Sequence, residues 1–169
     1  MIIEEAIKTA IEYETRVWTV YVDAMKQATD KVGKRVFGLL ASEEQEHLKY
    51  LKSRLDEWEE TGKITAVRLT TSIPSKEEIK DQMSKLKAHM AGQPRTSELN
   101  QLQKARDVEM ETSNFYKKMA TELSAEGQQM FARFVEIEEG HLALVQAELD
   151  AVSGMGFWFD IPEFNLEAG

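Results

Sequence analysis

Glu44-Gln45-Glu46-His47 and Glu138-Glu139-Gly140-His141 repeat one four-residue pattern, and their placement decides how the chain is read. A glutamate and a histidine three apart share a helix face, about 4.5 Å apart along the axis, so a carboxylate and an imidazole can hold one ion. Each copy interrupts an apolar stripe. Glu44 falls between Leu40 or Ala41 and Leu48 or Leu51, and Glu138 between Phe134 and Leu142 or Val145. Two further acids interrupt stripes of their own: Glu14 between Ala10 and Val17, and Glu109 between Leu102 or Ala105 and Tyr116. These features repeat in register. Glu14, Glu44 and His47 map onto Glu109, Glu138 and His141 at offsets of 95, 94 and 94, and Tyr21 and Tyr116 each follow their glutamate by seven. This is the pattern of a duplicated helical hairpin.

Outward from these motifs, apolar spacing of three and four predicts four long helices. The first turns Ile3, Ile7, Ala10, Val17, Tyr21 and Ala24 or Met25 inward. The second does the same with Phe37, Leu40, Ala41, Leu48, Leu51, Leu55 and Trp58, up to a stop at Thr61-Gly62. The third, Thr96 to Leu123, presents Leu99, Leu102, Ala105, Thr112, Tyr116, Met119 and Leu123. The fourth, Glu126 to Val152, presents Met130, Phe134, Leu142, Val145, Leu149 and Val152, and Gly154-Met155-Gly156 breaks it.

Between the hairpins, Ile64 to Ile73 reads as an extended connection. Ser75, with Glu78 three residues on, opens a short helix over Ile79, Met83, Leu86 and Met90, which Gly92 and Pro94 end. Turn residues at 29–33 and 124–127 stand midway between the acids of each hairpin, so both hairpins deliver them to one level. The expected fold is all-α: a single domain over 1–169, built as a ferritin-like four-helix bundle. Two antiparallel hairpins, 2–60 and 96–152, are joined by a long crossover, 61–95, and followed by a tail, 153–169.

The chain of 169 residues carries 30 acids against 21 bases, a formal charge of -9, and no cysteine. Disulfides, thiolate metal sites and cysteine nucleophiles are thereby excluded, so any metal is held by nitrogen and oxygen. The acidic balance, with no basic run, argues against nucleic acid as a partner. The start of the sequence lacks the pattern of a signal peptide, and no apolar run reaches the roughly 18 residues of a membrane span. A soluble, cytoplasmic protein with no membrane partner is expected.

Four ionised carboxylates facing one core cost many kcal/mol unless paired, neutralised or bound to metal. One Glu from each of two helices and one Glu-x-x-His from each of the others is the dinuclear carboxylate arrangement. Glu44 and Glu138 are expected to bridge two ions, with Glu14 and His47 completing one and Glu109 and His141 the other. Such a donor set suits iron or manganese and admits zinc. Glu43, Glu46, Glu136 and Glu139 are expected on solvated faces, His89 on the surface, and the aromatic-acidic tail as a lid or subunit contact.

The chain resembles the rubrerythrin branch of the ferritin-like di-iron proteins over nearly its whole length. The Glu and Glu-x-x-His pairs carry the resemblance, with Tyr21, Tyr116 and the tail Trp158-Phe-Asp-Ile-Pro-Glu-Phe. It implies two iron ions, tyrosines that hydrogen-bond ligand carboxylates, and reduction of peroxide or dioxygen with electrons from an external donor, in a homodimer. Two departures stand out. Typical members append a cysteine-ligated rubredoxin domain, and this chain has no cysteine. Peroxidase-type members carry an extra glutamate one turn from the third-helix ligand, where this chain has Arg106 and Thr112. The alternatives are iron oxidation for sequestration, as in ferritins, and a metal-free helical interaction module.

Overall fold

A computed structural model describes residues 2–65, 67–86, 96–155 and Trp158. Four long helices, α1 (Ile3–Gln27), α2 (Lys31–Thr61), α4 (Thr96–Glu122) and α5 (Ala125–Met155), are accompanied by a short α3 (Lys76–Leu86) in the crossover. Helices α1 and α2 form one hairpin, α4 and α5 the other; α1 packs on α4 and α3 on α5.

The boundaries follow from local chemistry. Asp30 caps α2, its carboxylate accepting from the amides of Val32 at 2.8 Å and Gly33 at 3.2 Å. Gly62 ends α2 in the left-handed region at φ 69°, its amide returning to the Trp58 carbonyl at 2.8 Å. The Ser75 hydroxyl accepts from the Glu78 amide at 3.3 Å and so starts α3.

Helices α1 and α4 run antiparallel. Tyr13 stacks on Phe115 with ring centroids 4.9 Å apart, Tyr21 meets Glu109, and Gln27 meets Gln101 at 2.7 Å. Inside the bundle the apolar side chains divide into two clusters. One contains Val17, Tyr21, Phe37, Leu40, Ala41, Ala105 and Leu144; the other contains Ile7, Ala10, Leu51, Tyr116, Met119, Phe134 and Ile137. On every long helix the predicted ligands fall between a residue of one cluster and a residue of the other. A polar layer therefore crosses the bundle, sealed by hydrocarbon above and below.

The crossover straps α2 to α5. The Tyr50 hydroxyl donates to the Val67 carbonyl at 2.6 Å, and Arg54 to the Thr65 carbonyl at 3.0 Å. From α5, Arg133 Nε donates to the Leu69 carbonyl at 2.9 Å. Gly140 permits a close approach here: a Cβ at this position would lie 3.2 Å from the Pro74 carbonyl oxygen.

Several expectations are corrected. Helix α5 continues through Gly154 to Met155. Leu142 is only half-buried, whereas Leu144 is fully enclosed, because α3 adds Ile79 and Met83 to the cluster that contains Leu144. Leu48, Leu55, Trp58 and Leu99 are half-buried at the bundle margin. His89, Met90, Gly92, Pro94 and, in the tail, residues 156, 157 and 159–169 lie outside the described residues. Trp158 packs on its own bundle: its indole Nε1 donates to Glu98 at 3.0 Å, its ring meets Phe37 edge-on at 5.1 Å, and Gly33 makes room for it. Among the described residues no helix is long and apolar enough to cross a membrane.

Candidate metal centre

Each of the six residues singled out by the repeat is 0% exposed: Glu14 on α1, Glu44 and His47 on α2, Glu109 on α4, Glu138 and His141 on α5. The fold brings all of them together. Glu14, Glu44, His47 and Glu138 form one group, and Glu44, Glu109, Glu138 and His141 another; within each group one donor atom per residue lies within 4.8 Å of the others. These two overlapping groups could hold metal ions.

The shared members supply one oxygen to each side. His47 Nδ1 faces Glu14 Oε1 at 3.2 Å, Glu44 Oε2 at 3.2 Å and Glu138 Oε1 at 3.4 Å. His141 Nδ1 faces Glu44 Oε1 at 3.0 Å, Glu109 Oε1 at 3.4 Å and Glu138 Oε2 at 3.9 Å. The two imidazoles lie nearly parallel, ring centroids 5.2 Å apart. Glu44 and Glu138 thus span both groups, whereas Glu14 and Glu109 each belong to one.

Tyr21 and Tyr116 cross between hairpins. The Tyr21 hydroxyl on α1 donates to Glu109 on α4, and the Tyr116 hydroxyl on α4 donates to Glu14 on α1, each at 2.5 Å. Burial and the Glu109 charge push Tyr21 well above its ordinary pKa; burial and the Glu14 charge do the same for Tyr116. Both therefore stay protonated as donors to the unshared acids.

Electrostatics sorts the acids by the same division. Burial pushes the Glu14 carboxyl up, but the His47 charge and hydrogen bonds, including that from Tyr116, outweigh it and hold Glu14 at about 2. Burial likewise opposes ionisation of Glu109, and contacts with Glu138, His141 and Tyr21 overcome it, so its pKa is lowered. Glu44, by contrast, is pushed up to about 8 by burial and the Glu14 charge, and Glu138 well above its usual range by burial and the Glu109 charge. Burial works against charge on His47 and His141, yet the surrounding carboxylates raise both well above 6.5.

The residues fit a dinuclear cation site. Among the described residues, Oε2 of Glu14, Glu44 and Glu109, both oxygens of Glu138 and Nε2 of both histidines are buried without a hydrogen-bond partner. Native interiors seldom leave so many polar atoms unsatisfied in one place. The two arginines that fall beside the stripes do not enter the cluster: Arg16 pairs at the surface with Glu111 at 3.2 Å, and the Arg106 side chain is 38% exposed.

Glu46 and Glu136 are exposed and Glu139 half-exposed, as expected. Glu43 is the exception: it is buried rather than solvated. The crossover covers its flank of α2, where its Oε1 accepts hydrogen bonds from the Thr71 hydroxyl and, at 3.2 Å, from the Ser72 amide. The same oxygen lies 3.8 Å from His141 Nε2. Burial pushes Glu43 up, but His141 and Thr71 reverse this and hold it at about 2. A signal existed in the repeat: an offset of 94 sets position 43 against Ile137, a buried apolar residue, which marks the position as inward-facing.

No family model matches the chain, nor does any curated protein or solved structure.

Proposed function

We propose that the chain is a dinuclear carboxylate oxidoreductase. It would reduce hydrogen peroxide or dioxygen at a di-iron centre with electrons from an external donor, acting as a homodimer. One observation carries the reading: Glu44 and Glu138 each direct one oxygen to the His47 side and the other to the His141 side. Glu14 and His47 would complete one ion position, Glu109 and His141 the other. An all nitrogen and oxygen donor set suits iron or manganese and admits zinc.

Held by these residues, a reduced pair of iron ions would supply the two electrons that, with two protons, reduce one hydrogen peroxide to two waters. The chain's own contribution is enclosure and proton placement. The two apolar clusters exclude bulk water from the layer, which strengthens every interaction within it. Tyr21 and Tyr116 hold their protons at the phenolic oxygens while orienting Glu109 and Glu14. Glu44 and Glu138 would be shared between the two ion positions, and both carboxylate oxygens of Glu138 are free of hydrogen bonds to other protein groups and so available as ligands.

The test is single-turnover oxidation. Anaerobic protein carrying two ferrous ions, mixed with one equivalent of peroxide, should oxidise both irons at a ratio of one peroxide to two irons. Oxidation no faster than in Glu109→Ala would refute the reading. A hollow shell of many subunits in size-exclusion chromatography would favour iron sequestration instead.

A further inference from the structure

The two halves of the centre differ at one point outside the six residues. Nε2 of both histidines lacks a hydrogen-bond partner, but His141 Nε2 has the Glu43 carboxylate 3.8 Å away, whereas the carboxylates beside His47 all face its Nδ1 and its ring is met edge-on by Phe134 at 5.5 Å. The repeat explains why: the counterpart of Glu43 is Ile137, which offers no acceptor. The Glu43 oxygen nearest His141 also takes the Thr71 hydroxyl and the Ser72 amide, so one carboxylate touches both the imidazole and the crossover.

We propose that Glu43 is a positioning residue that accepts a hydrogen bond from His141 Nε2–H when Nδ1 holds an ion. It thereby makes the His141 position the tighter of the two and fastens the crossover at 71–72 to the centre. The physical argument is short. An imidazole that binds metal through Nδ1 must carry its proton on Nε2, and an acceptor there fixes tautomer and ring angle and makes the ligand nitrogen more basic. The separation of 3.8 Å is longer than a hydrogen bond, and a shift of about 1 Å makes it one. Losing such a partner commonly costs about 10–100-fold in ion affinity. His47 has no equivalent, so its position lacks that gain. Glu43 also lines a surface cleft of about 550 Å³ with Lys49, Arg68 and Thr70, so the latch sits where the crossover meets α2.

The inference rests on the dinuclear reading and is tested with cobalt(II) alone on chelator-stripped protein. Wild-type protein should bind two ions in steps at least about tenfold apart, the first slowing exchange of the Ser72 amide. Glu43→Ile, which copies the other hairpin, should weaken the tighter step about 10–100-fold and leave the weaker unchanged. Glu43→Gln, whose amide oxygen can still accept from Nε2–H, should recover part of the loss, which a packing defect would not. If Glu43→Ile does not fold, Thr71→Val takes its place and should weaken only the tighter step, by a smaller factor. Two equal steps in wild type, equal weakening of both, or no change in the variants would overturn the proposal while leaving the dinuclear reading intact. Failure of wild-type protein to take up cobalt would overturn both.

Discussion

Adding two equivalents of manganese(II) to chelator-stripped protein at pH 7 should release close to four protons per chain. At this pH Glu44, at about 8, is mostly protonated, by about ten to one, and burial beside the Glu109 charge raises Glu138 well above its ordinary value in the same direction. His47 and His141, both raised well above 6.5, carry their extra protons too. Glu14 and Glu109 are ionised already. The six residues are therefore near neutral without metal: two imidazolium charges against two carboxylates. Two divalent ions against four carboxylates and two neutral imidazoles are also neutral. Loading exchanges four protons for two ions without changing the buried charge, and metal ligands must shed their protons to bind. The sign follows: affinity rises with pH. The product of the two binding constants should climb by about four orders of magnitude per pH unit below pH 7, or about 100-fold per ion. Calorimetric titration in buffers of differing ionisation enthalpy reads the proton number directly. Fewer than two protons per two ions, or affinity independent of pH, would show that the bridging acids are ionised before metal arrives and would refute the reasoning.

The tyrosine exchange predicts matched effects. Tyr21→Phe and Tyr116→Phe each remove a donor to a buried carboxylate, and each should cost the stripped protein about 1.5–3 kcal/mol in urea unfolding; a large effect from only one would contradict the paired geometry. Gly33→Ala places a Cβ 2.4 Å from the Trp158 ring, so it should displace the indole from Glu98 and Phe37. A loss of about 1–3 kcal/mol with red-shifted tryptophan fluorescence is expected, and unchanged fluorescence would count against the docked position. In chelator, stability should peak near pH 5. Glu14, Glu43 and Glu109, lowered from 4.5, lose their contribution as the medium is acidified below that value. Glu44 and Glu138 favour the protonated native state and lose their contribution as pH rises above 4.5, Glu44 by about 8, and the raised histidines lose theirs only above 6.5. Thermal unfolding with a maximum at pH 8 would contradict this assignment.

The six clustered residues were legible because interior acids and histidines break an apolar stripe, and because the two breaks recur at a fixed offset. Helix limits were legible where a cap has its own chemistry, as at Asp30, Gly62 and Ser75. Periodicity misplaced the residues whose environment is supplied by a third element. Glu43 lies a quarter-turn from the inward stripe of α2 and is enclosed only because the crossover returns over it. Leu142 and Leu144 exchange roles because α3 lies on α5. A single-helix pattern records which face meets the bundle axis, and carries no term for a segment arriving from outside. Gly154 failed as a stop because glycine only weakens a helix, by about 1 kcal/mol, and the apolar face of α5 outweighs that.

The division of each cage between hairpins also orders events during synthesis. When the first 62 residues have been made, Glu14, Glu44 and His47 are present, but Glu138 and the Tyr116 hydroxyl that steadies Glu14 do not yet exist. Both candidate groups of donors include Glu138, so neither is complete until the C-terminal hairpin docks on the first.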